Sequence, residues 1–285
     1  MKSGTLYVVA TPIGNLGDIT SRALEVLEAV DLVAAEDTRV SGRLLKHFGV
    51  KTPLLSVHEH NEQARIEALL GRLEQGESIA LISDAGTPLV SDPGYRLVRA
   101  TRAAGFQVVP IPGASALLAA LSAAGLPTDR FVFEGFLPPK PAARRQHLQG
   151  LAREQRTLVF YESAHRLLAS VGDMAQELGP ARRAVLAREL TKLHEEFHGD
   201  TLGNLGAWIQ ADANRQRGEF VILVAGADEA GVAEEALDPD VVLATLLDEL
   251  PVKQAVRIAA RLTSVARNDL YQRALKMQQQ KDGAP

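Results

Sequence analysis

The chain has 285 residues, 46% of them hydrophobic, with a formal net charge of −4 and no cysteine. The absence of Cys excludes disulfides, thiolate metal sites and a Cys nucleophile, and no run approaches the ~18 consecutive apolar residues that span a bilayer. A dedicated nucleic-acid module would usually be basic, and the N-terminal stretch enters a strand with no export signal, so a cytoplasmic protein of about two domains is expected.

The charge is unevenly spread. Gly226 to Leu250 holds eight acidic residues and no Lys or Arg, whereas Pro251 to Pro285 holds seven basic and two acidic ones. Residues 138–156 carry five basic residues and one acidic. Two basic segments are thus hidden in the total, one of them behind an acidic linker.

In chain order, residues 4–10 read as a first strand, followed by the turn-rich loop 11–18 and a helix capped by Asp18 or Thr20, with Ala23, Leu24, Leu27 and Val30 on one face. Residues 31–35 are a second strand, ending in Glu36-Asp37-Thr38-Arg39. A helix striped by Leu44, Leu45 and Phe48 stops at Gly49. A short strand over 54–57 leads through His58–Glu62 to a helix ending near Glu74. The strand 78–82 runs into Ser83-Asp84-Ala85-Gly86-Thr87-Pro88 and Asp92-Pro93-Gly94. A helix over 95–104, a strand over 107–111, the turn Pro112–Ala116 and an Ala/Leu-rich helix to Gly125 complete this half. Strands alternating with helices predict a parallel sheet with helices on both faces.

The second half differs. Residues 131–135 read as a strand, 136–141 as a Pro-stiffened loop, and Arg144-Arg145 as the opening of a helix. Thr157–Tyr161 is a strand closed by Glu162-Ser163, and a helix over 165–178 ends at Gly179-Pro180. Further strands are predicted at 184–188, 195–198 and 220–224. Two successive strands without a helix between them argue for an antiparallel or mixed sheet. Helices follow over 240–249 and 251–277, a last short one starting at Asn268-Asp269, and the tail from Gln278 is expected to be disordered. The domain reading is 1–117, an N-terminal parallel α/β domain; 118–226, a mixed-sheet α/β domain; 227–239, the acidic linker; 240–277, a basic helical module; and 278–285, the tail.

Three Gly- or Pro-bearing loops follow strands one, four and five, so they lie at one edge of the sheet, where open α/β sheets bind ligands. Neither a GxGxxG fingerprint nor a P-loop is present, and there is no GxSxG or HExxH. His58 and His60 read better as a structural pair than as metal ligands, and no metal is expected. Glu36, Asp37 and Arg39 at a strand end are either an internal ion pair or a cluster that holds a substrate hydroxyl and phosphate, the second reading favoured by their place at a strand's carboxyl edge. Lys140, Arg144 and Arg145 are either a solvated face or a phosphate-binding arm.

As an ordered set these motifs are specific. Thr11–Leu16, Ala35–Arg39, His60-Asn61-Glu62, Ser83–Pro88, Asp92–Gly94, Pro112–Ala116, Glu134–Pro138, Phe160–Ser163 and Ala187–Lys192 together resemble the tetrapyrrole methylase superfamily over about residues 5–225. Thr11-Pro12-Ile13-Gly14-Asn15 stands where tetrapyrrole-acting members carry a Gly-rich turn. The resemblance is therefore to the branch acting on small-subunit ribosomal RNA, whose C-terminal extension the basic helical tail resembles. It implies two α/β domains with a cofactor cleft between them, a small C-terminal helical module, a homodimer, and S-adenosylmethionine as methyl donor. It implies 2′-O-methylation of a cytidine in the decoding centre of 16S rRNA. Cofactor contact is carried over to Pro12, Asp84, Ala85, Gly86, Val90, Ser115, Ala116, Tyr161 and Leu190. Glu36, Asp37 and Lys192 are candidates for handling the ribose proton, and Arg39, Lys140, Arg144 and Arg145 for holding phosphates. Methylation of a tetrapyrrole, or a non-catalytic RNA-binding assembly factor on the same fold, are the alternatives.

Overall fold

In the computed structural model, which describes residues 4–58, 61–228, 238–263 and 265–282 (the last five by backbone alone), five short apolar runs form a parallel sheet. They are β1 (Thr5–Val9), β2 (Leu32–Ala35), β3 (Leu54–Ser56), β4 (Ile79–Ile82) and β5 (Gln107–Ile111), in the order β3-β2-β4-β1-β5. Successive residues of a strand face opposite sides, and both sides here are apolar. Val33, Ala35, Ala80 and Ile82 pack with Ala23 and Leu27 of helix α1 (Ser21–Ala29) and Leu45 of α2 (Thr38–His47). Leu32, Ala34, Ile79 and Leu81 pack with Ile66, Leu69 and Leu73 of α3 (Glu62–Glu74) and Leu97 of α4 (Tyr95–Ala103). This is why β2 and β4 read as continuous hydrophobic runs rather than alternating ones.

Helix α4 starts behind Gly94, which offers no side-chain cap. Glu62 supplies one from α3: its buried Oε1 accepts from Leu97 N at 2.9 Å. Glu62→Ala is expected to cost about 1–3 kcal/mol by leaving that N–H unsatisfied, and Glu62→Gln less, as read from urea midpoints. Asn61 closes the same turn, accepting from His58 N at 2.9 Å and donating to Ser56 O at 3.2 Å.

After α5 (Ala116–Ala123) the chain builds a second sheet from β6 (Phe131–Phe136), β7 (Thr157–Ser163), β8 (Arg183–Arg188), β9 (Glu196–Thr201) and β10 (Glu219–Val224), ordered β6-β7-β10-β8-β9. Only β6–β7 is parallel, so the sheet is mixed as expected. One face, with Val159, Ala187 and Leu223, packs on Leu117, Ala120 and Leu121 of α5. The other, with Leu158, Phe160 and Ile222, packs on α6 (Pro141–Gly150), α7 (Leu167–Leu178) and α8 (Leu202–Gln210). Helix α6 begins at Pro141, three residues before the predicted Arg144, because Pro suits the first helical position. Helix α8 was not expected from the sequence. Thr201 caps it, accepting from Asn204 N at 3.4 Å, and Leu202, Leu205 and Ile209 are buried.

The chain divides into two compact units, residues 1–226 and 227–285. In the second, α9 (Pro239–Glu249), α10 (Val252–Leu262) and α11 (Arg267–Asp282) enclose Leu243, Ala255, Val256, Ala259, Leu270 and Ala274. Arg273 Nη1 meets Asp240 Oδ1 at 3.0 Å, tying α11 to α9. The final helix is longer than predicted. Residues 229–237 of the expected linker, His60, and the side chains of the expected tail from Gln278 lie outside the described residues. No described helix is long and apolar enough to cross a membrane.

Candidate active site

Strands β4, β1 and β5 are neighbours, so the loops that follow them meet at the carboxyl edge of the first sheet. They are stitched together. Thr11 and Gly86 exchange two backbone hydrogen bonds of 2.9 and 3.0 Å, Thr11 Oγ1 donates to Ser83 O at 3.2 Å, and Thr87 Oγ1 donates to Ala114 O at 3.0 Å. Gly86 has φ +86°, and a Cβ there would stand 3.0 Å from Ile13 Cγ2. Only glycine meets both demands.

The loop after β8 closes over this edge from the second sheet. Asn15 N donates to Thr191 Oγ1 at 3.1 Å, and Thr191 N donates to Glu195 Oε2 at 2.6 Å. Among the described residues, four non-glycines have left-handed backbone: Leu89, Ser91, Glu189 and Thr191, with φ of 71°, 66°, 51° and 65°. All lie on the two loops facing each other across the cleft. Such conformations cost energy and are held by their surroundings.

Between the loops is a cavity of about 370 Å³. From the first half, Asp84, Ala85, Gly86, Val90, Asp92 and the Ser115–Ala116 turn line it; from the second, Phe136, Tyr161, Leu190 and Glu219. Tyr161 fixes the wall: its Oη accepts from Leu117 N at 3.1 Å, and its ring meets Phe133 and Phe136 edge-on at 4.9 and 5.7 Å.

Every charged residue lining the cavity is a carboxylate: Asp84, Asp92, Glu162 and Glu219. Glu162 is committed to Arg166 at 2.7 Å and Glu219 to Lys192 at 2.8 Å, which leaves Asp84 and Asp92. Asp84 Oδ1 accepts from Asp37 N at 3.1 Å, fixing its direction. Burial pushes the Asp92 carboxyl up to about 6, with the charge of Asp84 adding to it and a hydrogen bond from Ser83 opposing it. The protonated form is therefore the one the fold prefers. Its stabilisation is full below the unfolded-state value near pH ~4 and is lost as pH rises through about 6. Asp92→Asn is expected to raise the melting temperature at about pH 8 and leave it unchanged at about pH 4, a difference that thermal melts at the two pH values measure.

The expected residues fall into three groups. Asp84, Ala85, Gly86, Val90, Ser115, Ala116, Tyr161 and Leu190 line this one cavity, whereas Pro12 does not; its neighbour Ile13 takes that place, and Pro12 faces a second cavity beside it. Of the proton-handling candidates, Lys192 lines the second cavity, and Glu36 and Asp37 line neither. Burial works against the Lys192 charge, but hydrogen bonds to Glu219 (2.8 Å) and Glu189 (2.9 Å) outweigh it and hold the ammonium above the usual lysine range. Asp37 is held well below the usual carboxylate range by hydrogen bonds from Arg39. Burial raises the Glu36 carboxyl, and the charges of Asp84, Asp92 and Asp37 raise it further.

Among the expected phosphate-binding residues, Arg39 and Lys140 are exposed, Arg39 while paired to Asp37 at 2.6 Å. Arg145 is partly exposed, 3.6 Å from Asp173. Arg144 is a correction. It is 4% exposed, with Nε 2.6 Å from Asp173 Oδ2 and Nη1 on Pro139 O, so its guanidinium faces the protein interior and not RNA. Phe136 and Glu219 were missed as lining residues. No described group of three or more His, Asp or Glu side chains is arranged to hold a metal ion.

Residues 5–206 match the family model for Tetrapyrrole (Corrin/Porphyrin) Methylases. The chain belongs to the tetrapyrrole methylase family. Residues 233–278 of this tetrapyrrole methylase match the RsmI C-terminal HTH domain. Two relatives align with it nearly end to end, each called ribosomal RNA small subunit methyltransferase I. The one from Pseudomonas aeruginosa is 57% identical over 282 residues, covering 98% of this chain and 99% of the relative. The one from Escherichia coli O157:H7 is 55% identical over 277 residues, covering 96% of each. Among solved structures, the methyltransferase CobJ superposes with TM-score 0.59 at 22% identity, covering 79% of this chain and 95% of its own. Diphthine synthase does so at 0.58 and 16%, covering 78% and 90%. At those identities the likeness is one of fold.

Proposed function

We propose that this tetrapyrrole methylase transfers a methyl group from S-adenosylmethionine to the ribose 2′-oxygen of a cytidine in the decoding centre of 16S rRNA, acting as a cytoplasmic homodimer on the small ribosomal subunit. The observation that carries the donor half is the cleft cavity with its all-carboxylate charged lining. That lining suits a ligand that is cationic at both its sulfonium and its amino group. The rRNA half is supported by the two relatives aligned nearly end to end and the HTH match of residues 233–278. The ribose position and the nucleotide rest on the motif resemblance.

Asp84 and Asp92 would hold the cationic end of the donor, the backbone of Gly86, Ser115 and Ala116 its polar edges, and Ile13, Val90 and Leu190 its apolar parts. When bound, S-adenosylmethionine supplies an electrophilic methyl group: the C–S bond breaks, an O–C bond forms and S-adenosylhomocysteine is left. The chain's part is mainly positioning and exclusion of water. Lys192 is held protonated, so it steadies the ribose oxygen as its proton leaves rather than accepting that proton. Burial and neighbouring carboxylates favour proton uptake at Glu36, but it lines neither cavity, so it would take the ribose proton only through an intervening group. Arg39, Lys140 and Arg145 would hold phosphates, which position RNA without specifying the base.

The test is transfer of labelled methyl from donor to purified small ribosomal subunits, with a porphyrinoid as competing acceptor, together with methyl mapping of 16S rRNA from a strain lacking the protein. Label in 16S rRNA and a missing 2′-O-methyl cytidine are expected. Label in the porphyrinoid, or no release of S-adenosylhomocysteine, overturns the reading.

A further inference from the structure

On the far side of the wall made by Ile13, Asp84 and Ala85 lies the second cavity, of about 460 Å³. The loop after β1 forms one side and a face of α2 the other. Val40, Leu44 and His47 recur on that face at helical spacing, with Arg43 beside them.

Its electrostatic character differs from the donor cavity's: the carboxylates Asp84 and Glu219 line it, but basic side chains stand beside them. Arg43, His47 and Lys192 line it. Lys192 is committed to Glu189 and Glu219. Arg43 and His47 are exposed, and no carboxylate among the described residues is within ion-pair distance of either. A second observation is independent of charge. Ser41, only 2% exposed, also lines this cavity, and its Oγ has no hydrogen-bond partner among the described residues. Buried hydroxyls are nearly always satisfied in native structures, so an unsatisfied one on a cavity wall is a group that a ligand can complete.

We propose that this cavity holds the acceptor nucleotide, drawn out of its RNA. Its phosphate sits at Arg43 and His47, its base lies against Val40 and Leu44 with Ser41 at a polar edge, and its ribose meets the Asp84–Lys192 wall. The assignment rests on the reading of the protein as an RNA ribose methyltransferase and adds where the acceptor sits and what holds it. The volume is in the range of small-ligand pockets and far too small for a duplex, so the target must leave its stack, as targets of base-modifying enzymes do. The two reactants then sit on either side of one shared wall, with Arg43, unpaired among the described residues, available to the acceptor's phosphate.

The test uses the whole chain, its Arg43→Gln/His47→Ala double variant, the Arg43→Gln single variant, and Ser41→Ala. Both side chains are exposed, and donor titration by calorimetry serves as the folding control. The double variant is expected to bind donor within about twofold of wild type while its KM for small ribosomal subunits rises ~10-fold or more. The slope of log KM on log salt should become shallower by about 0.7 for each phosphate that is no longer neutralised. Ser41→Ala should raise KM about threefold without lowering the melting temperature, an effect a merely structural hydroxyl would not produce. If wild type methylates subunits and the variants share its KM and salt slope, the cavity assignment is wrong and the functional reading stands. If wild type transfers no methyl to subunits, the functional reading fails and takes this assignment with it.

Discussion

Asp84→Ala is expected to weaken S-adenosylmethionine binding by about 10- to 100-fold, the range that loss of a hydrogen bond to a charged group commands. Four carboxylates line the donor cavity, but Glu162 and Glu219 already have cationic partners. Asp84 is one of the two left, and Asp37 N aims it. Asp84→Asn keeps an acceptor for that N–H and loses only the charge, so its affinity should fall between the two. Calorimetric titration of the three proteins, with melting temperatures as a folding control, checks this order. Equal affinity for all three would mean that the donor's cationic end lies elsewhere.

Arg144→Ala is expected to destabilise the fold by about 3–5 kcal/mol, because it strands the carboxylate of Asp173 without its partner. Both side chains are nearly buried, at 5% and 12% exposure, and the ion pair is 2.6 Å long. Arg145, at 3.6 Å from the other Asp173 oxygen, is a poor replacement. Replacing both partners at once, as Arg144→Met with Asp173→Leu, should recover most of the loss, since burying two charges costs nearly what their attraction returns. Urea midpoints for the single and double variants measure both effects. A single variant as stable as wild type would show that the pair is relaxed in solution.

Arg144 also shows where reading the sequence stops. Its charge and its neighbour Arg145 were visible, but its partner is 29 residues away on α7, and no local pattern links them. Local signals served better where chemistry acts locally. Gly and Pro marked the loops after β1, β4 and β5, and a parallel sheet brings such loops to one edge; of the nine cofactor residues that the family resemblance implied, the six on the β4 and β5 loops line one cavity, joined by Tyr161 and Leu190 from the second sheet. Helix α8 escaped because Gly203, Asn204 and Gly206 are weak helix formers; burial of Leu202, Leu205 and Ile209 decides it instead. Arg43 and His47 escaped for a different reason. Four residues apart on an ordinary amphipathic helix, they gain meaning only from the cavity they face.

One consequence follows from how the strands are allotted. Every strand of the first sheet lies within residues 5–111, every strand of the second within 131–224, and none crosses over. Strand pairing is thus settled separately in two consecutive stretches of chain. A polypeptide emerging from its N-terminus holds all five strands of the first sheet, and all three loops stitched at its carboxyl edge, before the first strand of the second sheet exists. The donor side of the cleft can be laid down in the order of synthesis, and the second sheet arrives as its lid.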